Sequence, residues 1–172
     1  MKKNFFFLTF FLLIGCTSNT SITTKISCPD VFFAAEHTKY VDSNTLPITI
    51  DNLSYSADIN NYAFNSDCLI IDDIIQAELS LLFIVNPYQA EVSELSLPFY
   101  VAILNEKNEL VDMQYYQIEG ELKSDPETKK YIETELTKSI TIQMSSLVDQ
   151  VNSRNILIVG FMLDKKKLEI LN

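Results

Sequence analysis

The sequence predicts an all-β protein that folds as an antiparallel β-sandwich of about seven strands. Short segments in which apolar and polar residues alternate recur every ten to fifteen residues or so, as they do in sandwich domains. No long segment has the 3.6-residue apolar period of an amphipathic helix. The chain of 172 residues is 47% hydrophobic, which is enough for a core. An immunoglobulin-like topology fits this pattern, although the chain lacks Trp, and a small β-barrel is the alternative.

The first half of the domain carries four strand signals. Residues 31–40 are rich in aromatic and small residues, and residues 48–50 and 55–59 alternate between apolar and polar side chains. Residues 76–85 give a stronger signal because one face of the strand is apolar throughout. Leu82 and Ile84 make the second face apolar too, which predicts a central strand with both faces covered.

The second half continues in the same way. Residues 95–104 form an apolar alternation, and residues 111–122 return as its hairpin partner after a polar turn. Further strands are predicted at 140–144 and 156–163, and Gly160 in the last of them indicates a close packing contact. Asp164 is placed to cap a short helical turn that runs to Leu168.

The amino terminus has the features of a removable export signal. Two lysines precede an apolar run at residues 5–14, which is too short to span a bilayer of about 30 Å. Residues 1–15 are therefore assigned to a signal peptide. The formal net charge of −10 excludes a typical nucleic-acid-binding protein, because phosphate binding needs a cationic face.

The signal ends in the residues Leu13-Ile14-Gly15-Cys16, which resemble the lipobox of bacterial lipoproteins. The resemblance implies that Cys16 carries a diacylglycerol, that the chain is cut before it, and that the new amine is acylated, for example with palmitate. Two or three acyl chains give a stable membrane anchor. Thr17 follows the cysteine where an Asp would signal inner-membrane retention, so the resemblance implies the outer membrane, with the domain in the periplasm.

The remaining chain divides into a tether and a domain. Residues 16–27 comprise the lipidated Cys16 and a flexible segment rich in Ser and Thr. Residues 28–172 form a single β-sandwich domain. If Cys16 carries lipid, Cys28 and Cys68 are left as a pair in an oxidising compartment, which predicts a disulfide. The bond would close a loop of about 40 residues and contribute roughly 4 kcal/mol. Two buried free thiols are the alternative.

The mature chain also resembles a group of short alphaproteobacterial lipoproteins of unassigned function. Three stretches carry the resemblance: Cys28-Pro29 with the following VFFAAEH, the strand at 97–104, and the segment 158–163 followed by Lys167 and Leu168. The resemblance implies a β-sandwich and the lipoprotein class, and it brings no catalytic residues.

The chain offers little of the chemistry that enzymes use. His37 is the single histidine, so a Ser-His-Asp or Cys-His site would have to use it. Two cysteines and one histidine at wide spacing match no zinc site, and we expect no metal or other cofactor. The aromatic residues most suited to a binding surface lie on predicted strands or next to one: Tyr88, Tyr100, Tyr115 and Tyr116.

These observations favour a non-enzymatic, lipid-anchored envelope protein. It would bind a partner protein, through a strand edge or the exposed face of the hairpin at 95–122, or serve the structure of the envelope. The alternative is a periplasmic small-ligand-binding protein or an envelope hydrolase, with a pocket built from these four tyrosines and from the cluster of Asp58, Asp67, Asp72 and Asp73.

Overall fold

The structure of the protein, a computed structural model, describes residues 23–89, 94–145 and 155–171. The predicted signal peptide, Cys16, the first part of the predicted tether and the connection at 146–154 lie outside these residues. The described residues form ten strands and one short α-helix. The elements are β1 (Thr23–Ile26), β2 (Asp30–Phe33), β3 (Lys39–Asp42), β4 (Tyr55–Phe64), β5 (Cys68–Ile71), β6 (Ile74–Pro87), β7 (Glu94–Leu104), β8 (Leu110–Glu121), β9 (Thr134–Ser145), β10 (Ile156–Phe161) and α1 (Lys165–Leu171).

The strands form two sheets in a sandwich-like arrangement rather than a closed barrel, which confirms the predicted fold class. In the first sheet the long strand β6 is central. It pairs with β9 along one side and with β4 and β5 along the other, while β3 lies outside β4 and β1 outside β5. The second sheet has the order β2-β10-β7-β8, and all its pairs are antiparallel except β2–β10.

The core lies between the inner faces of the two sheets, and the alternation of the sequence accounts for it. On β6 the five residues predicted to share one face are the buried ones: Ala77, Leu79, Leu81, Phe83 and Val85. The ring of Phe83 lies 5.3 Å from that of Phe99 on β7 and 5.7 Å from that of Phe161 on β10. Fully burying an aromatic side chain of this kind stabilises a fold by roughly 2–3 kcal/mol.

The strand count is ten in the described residues rather than about seven because four strands have only four residues each. Segment 31–40 is divided into β2 and β3 by a 3₁₀ turn at Ala35–His37. Residues 48–50 are not a strand. Their loop is held instead by Asn52, whose Nδ2 donates to Pro47 O (2.9 Å) and whose Oδ1 accepts from Thr49 N (2.8 Å). These side-chain bonds satisfy backbone groups that a partner strand would otherwise satisfy.

The described residues begin within the segment predicted to be a tether. Residues Thr23–Ile26 form β1, which pairs antiparallel with β5. The structure joins Cys28 to Cys68 by a disulfide with Cα atoms 5.1 Å apart, and Ile26 is the register partner of Cys68. The disulfide therefore holds the two short strands beside each other. The polarity of residues 17–27 indicated a flexible tether and no strand at Thr23–Ile26.

Candidate functional site

Two of the four predicted tyrosines lie together on the outer face of the second sheet. Tyr100 on β7 and Tyr115 on β8 are register partners. Their neighbours Phe99 and Val101 on β7 belong to the core, so the pleat turns Tyr100 and Tyr115 outward. Tyr115 is 62% exposed, whereas Tyr100 is half-buried and burial raises the pKa of its phenol.

The other two tyrosines lie elsewhere. Tyr116 faces inward and stacks on Phe99 at 5.4 Å between ring centroids, and its hydroxyl donates to Gln114 Oε1 at 2.7 Å. Burial and the nearby carboxylate of Asp112 raise its pKa. Tyr88 follows β6 in the first sheet, with its hydroxyl 2.9 Å from Ser56 Oγ. The four tyrosines therefore do not line one groove.

An apolar row crosses all four strands of the second sheet next to Tyr100 and Tyr115. Phe32 on β2, Ile158 on β10, Ala102 on β7 and Met113 on β8 are successive register partners. Phe32 is 55% exposed, Ile158 and Met113 are partly buried, and the small side chain of Ala102 is buried between its neighbours. We call these residues and the tyrosine pair the apolar outer face: Phe32, Tyr100, Ala102, Met113, Tyr115 and Ile158. The face continues towards Leu104, Leu110 and Ile156, which meet in the next row.

The charged residues on the four strands of the second sheet have one sign. All of them are acidic. Asp30, Glu94, Glu119 and Glu121 lie on the outer side of the sheet. Asp112 is the register partner of the core residue Ile103 and lies on the inner side, where its Oδ2 accepts from Gln114 Nε2. Each of these acidic residues is exposed. In contrast, strands of the first sheet carry basic residues, such as Lys25, Lys39 and Lys138.

The outer face of the first sheet is mostly polar, which makes the apolar outer face of the second sheet distinctive. There Ser80 Oγ lies 2.6 Å from Ser139 Oγ, and Glu78 is the register partner of Thr141. The large apolar residues of that face on β5 and β6 are Leu69, Ile71, Ile74, Leu82 and Ile84, of which Ile74 is exposed and the others are partly buried. An exposed sheet face in water is ordinarily polar, so a row of apolar side chains marks a surface suited to contact.

A buried polar cluster lies between the carboxyl-terminal helix and the first sheet. Lys167 Nζ donates hydrogen bonds to the Tyr40 hydroxyl and to Asp42 Oδ1, the latter at 3.0 Å. The Tyr55 hydroxyl lies 3.4 Å from Asp42 Oδ2 and 3.2 Å from Ser96 O. Lys165 to Lys167 reads as a solvated basic turn in the sequence, yet Lys167 is buried while Lys165 and Lys166 are exposed.

Both phenols of this cluster are held in the neutral form. Burial raises the pKa of Tyr40, and the carboxylates of Asp42 and Asp164 raise it further. Burial is also the main cause of the raised pKa of Tyr55, followed by Asp42. A shallow groove of about 410 Å³ adjoins the cluster and is lined by Tyr40, Pro98, Met162, Leu163, Asp164 and Lys167. Since these polar groups bind one another, the arrangement supports packing of α1 rather than acid–base chemistry.

The side chain of His37 packs against β10 and Tyr100. It lies in the 3₁₀ turn rather than in a strand, its Nδ1 donates to Phe161 O at 2.9 Å, and its ring meets Tyr100 edge-on at 5.8 Å. A Cβ added at Gly160 would lie 2.8 Å from His37 Cβ, which confirms the close packing predicted at this glycine. The hydrogen bond and the ring contact position the imidazole against β10.

The acidic residues between β4 and β6 are dispersed. Asp67 pairs with Lys25 at 2.6 Å, while Asp72 and Asp73 form the β5–β6 turn with positive φ angles. Across residues 23–89, 94–145 and 155–171, no group of three His, Cys, Asp or Glu side chains is arranged to hold a metal ion. Nor does any helix within these ranges have the length and apolarity needed to cross a membrane.

Comparison with known proteins adds no relative: no family model, no curated protein and no solved structure matches the chain. The candidate site is therefore supported by the geometry of the described residues and not by any relative. Sequence reasoning found Tyr100 and Tyr115 but missed Phe32, Met113 and Ile158. One available signal was that residues 156–159 are apolar at every position, which leaves apolar side chains on both faces of the strand.

Proposed function

We propose that this chain is a non-enzymatic, lipid-anchored protein of the cell envelope that binds a partner protein through the apolar outer face of its second sheet. The observation that carries the binding role is the row from Phe32 to Met113, which crosses four strands in register and is framed by acidic side chains. Burying such a row against a partner removes apolar surface from water, at roughly 25 cal/mol per Å².

The anchor is proposed from the sequence at Cys16, and its attachment point fits this role. Thr23 pairs with Ile71 beside the β5–β6 turn, so the chain enters the sandwich at the end where β6 begins. The segment from Cys16 to Thr23 can extend at most about 25 Å. This length supports a domain held close to the membrane. The proposed location of the domain is the periplasmic side of the outer membrane.

Site-specific crosslinking in cells tests the binding role. A photoreactive amino acid replaces Met113 on the apolar outer face, and a matched one replaces Thr137, an exposed residue on the outer face of the first sheet. We expect one dominant protein adduct from position 113 and none from position 137, identified by mass spectrometry. Loss of the adduct on Phe32→Ser would place the contact on this face.

Two results would contradict the proposal. Equal adducts from positions 113 and 137 would mean that the apolar outer face has no preferred partner. Adducts with lipid or with the protein itself, and with nothing else, would remove the partner-binding role and leave a structural role in the envelope.

A further inference from the structure

We propose that the partner surface recognised by the apolar outer face is an amphipathic helix with basic flanks, which lies across the four strands of the second sheet. This inference rests on the proposed function, because it names the kind of partner that the same surface binds. Three features of the second sheet support it: the shape of the surface, its charge and the state of the strand edges.

The shape of the surface suits a helix. Four adjacent strands at about 4.8 Å spacing give a row roughly 14 Å across from Phe32 to Met113. A second row, with Tyr100 and Tyr115, lies two residues further along the strands, or about 7 Å away. An α-helix with its side chains is about 10–12 Å wide. An apolar helix stripe placed on this surface forms the helix-on-sheet layer that covers exposed sheet faces in many domains.

The acidic residues of the second sheet favour a helix with basic residues on both sides of its apolar stripe. The exposed charged residues of the four strands are all acidic, with Asp30 at one end of the sheet and Glu119 on the outer side of β8. Lys and Arg side chains beside an apolar stripe would meet these carboxylates at the rim. The same carboxylates oppose an anionic lipid surface, and they oppose a second copy of this face, because like charges would meet.

The strand edges argue against recognition by an added strand. On β8, Gln114 Nε2 donates to Gln143 O on β9 at 2.9 Å, and the Tyr116 hydroxyl lies 3.5 Å from Thr141 O. These contacts cross from one sheet to the other on that side of the sandwich. At the opposite edge, β2 has only four residues and follows Pro29. The outer face of the sheet therefore remains as the surface for docking.

Binding of a model helix tests the proposal directly. The probe is a fluorescein-labelled 18-residue Leu/Lys peptide with all its Leu residues on one helical face. Two control peptides are a scrambled peptide of the same composition and a Leu/Glu peptide of the same pattern. The full chain is held in phosphatidylcholine nanodiscs, and the signal of empty nanodiscs is subtracted. Fluorescence anisotropy measures the affinity, and circular dichroism measures the helicity gained.

Matched variants locate the binding. Phe32→Ser with Tyr115→Ser removes two exposed side chains from the apolar outer face. Leu46→Ser with Ile50→Ser removes two exposed apolar side chains from the loop before β4. We expect at least tenfold weaker binding of the Leu/Lys peptide to the face variant and unchanged binding to the loop variant. We expect both control peptides to bind the unaltered chain at least tenfold more weakly than the probe does.

Several outcomes would overturn the proposal. Equal affinity for the patterned and scrambled peptides would show that no helix is selected, and undiminished binding by the face variant would place the site elsewhere. A doubled mass by light scattering that the face variant abolishes would assign the face to a second copy. If the adduct from position 113 forms in cells while the Leu/Lys peptide does not bind, the proposed function stands and the helix is the wrong kind of partner.

Discussion

Lys167 Nζ on α1 lies 3.0 Å from Asp42 Oδ1 on β3, which joins the carboxyl-terminal helix to the edge strand of the first sheet. The lysine side chain is 10% exposed and that of Asp42 is 37% exposed. Lys167 Nζ also lies 3.9 Å from the centroid of the Tyr40 ring. One lysine therefore combines an ion pair, a hydrogen bond and an aromatic contact at the point where the chain ends its last strand and turns back.

This relationship predicts that substitutions of two neighbouring lysines change the free energy of unfolding by very different amounts. Lys167→Met keeps the aliphatic volume but leaves Asp42 without its cation, and we expect the free energy of unfolding to fall by about 1–3 kcal/mol. Lys166→Met, at an exposed position of the same helix, should change it by less than about 0.5 kcal/mol. Urea unfolding followed by circular dichroism measures both. Equal effects would mean that the Lys167 contacts add nothing to stability.

Alkaline pH should destabilise the fold through Tyr40 and Tyr55. Both phenols have folded pKa values above the ordinary value of 10.0, so the folded protein keeps protons that the unfolded chain releases. Their contribution to stability is complete below about pH 10 and is lost as the pH rises from there, at up to about 1.4 kcal/mol per pH unit for each proton.

Urea midpoints between pH 8 and 11 test this dependence. Tyr40→Phe removes one titrating group and should flatten the decline above pH 10. Tyr115→Phe, at an exposed tyrosine on the other sheet, should leave the slope unchanged. A slope that is the same in all three proteins would show that the buried phenols do not control alkaline stability.

Gly160→Ala should be more costly than Gly120→Ala. At Gly160 a Cβ would lie 2.7 Å from the Tyr100 hydroxyl oxygen and 2.8 Å from His37 Cβ, so two side chains must shift. At Gly120 the nearest atom is the end of the Leu136 side chain at 3.0 Å, which can rotate away. We expect a loss of about 1–3 kcal/mol for Gly160→Ala and a smaller change for Gly120→Ala. Thermal unfolding of the two variants would reveal the order, and a reversed order would refute the packing argument.

Reduction of the Cys28–Cys68 disulfide should destabilise the domain. The bond links residues 40 apart in sequence, so its loss frees a long loop in the unfolded chain and costs roughly 4 kcal/mol in the chain-entropy model. The measurement is the urea midpoint with and without a reductant. The double variant Cys28→Ser with Cys68→Ser should unfold like the reduced protein and show no further response to reductant, whereas Cys16→Ser should keep the response.

Lipidation at Cys16 is tested by metabolic labelling with an alkynyl fatty acid. The natural chain should incorporate the label and sediment with membranes. Cys16→Ser should lose both properties, because the thioether-linked lipid has no attachment atom. Cys28→Ser serves as the control for removing a cysteine and should remain labelled. Labelling of Cys16→Ser at the natural level would disprove the lipobox interpretation.

Local patterning of the sequence was sufficient for the sandwich class, the central strand β6, the β7–β8 hairpin and the Asp164 cap of α1. Each depends on residues close in sequence: alternation buries Leu79, Leu81 and Phe83 on one face, and Asp164 Oδ1 accepts from Lys167 N only three residues away. The pairing of Cys28 with Cys68 was also predictable, since Cys16 was already assigned to the lipid.

Tertiary structure alone decided which side chains meet across distant segments. Phe32, Ile158 and Met113 belong to three separate strands and form one surface because β10 pairs parallel with β2 and antiparallel with β7. The burial of Lys167 likewise depends on Tyr40 and Asp42, more than a hundred residues earlier in the chain. Alternation specifies which face of a strand is buried, but strand order and register bring together residues that no local pattern connects.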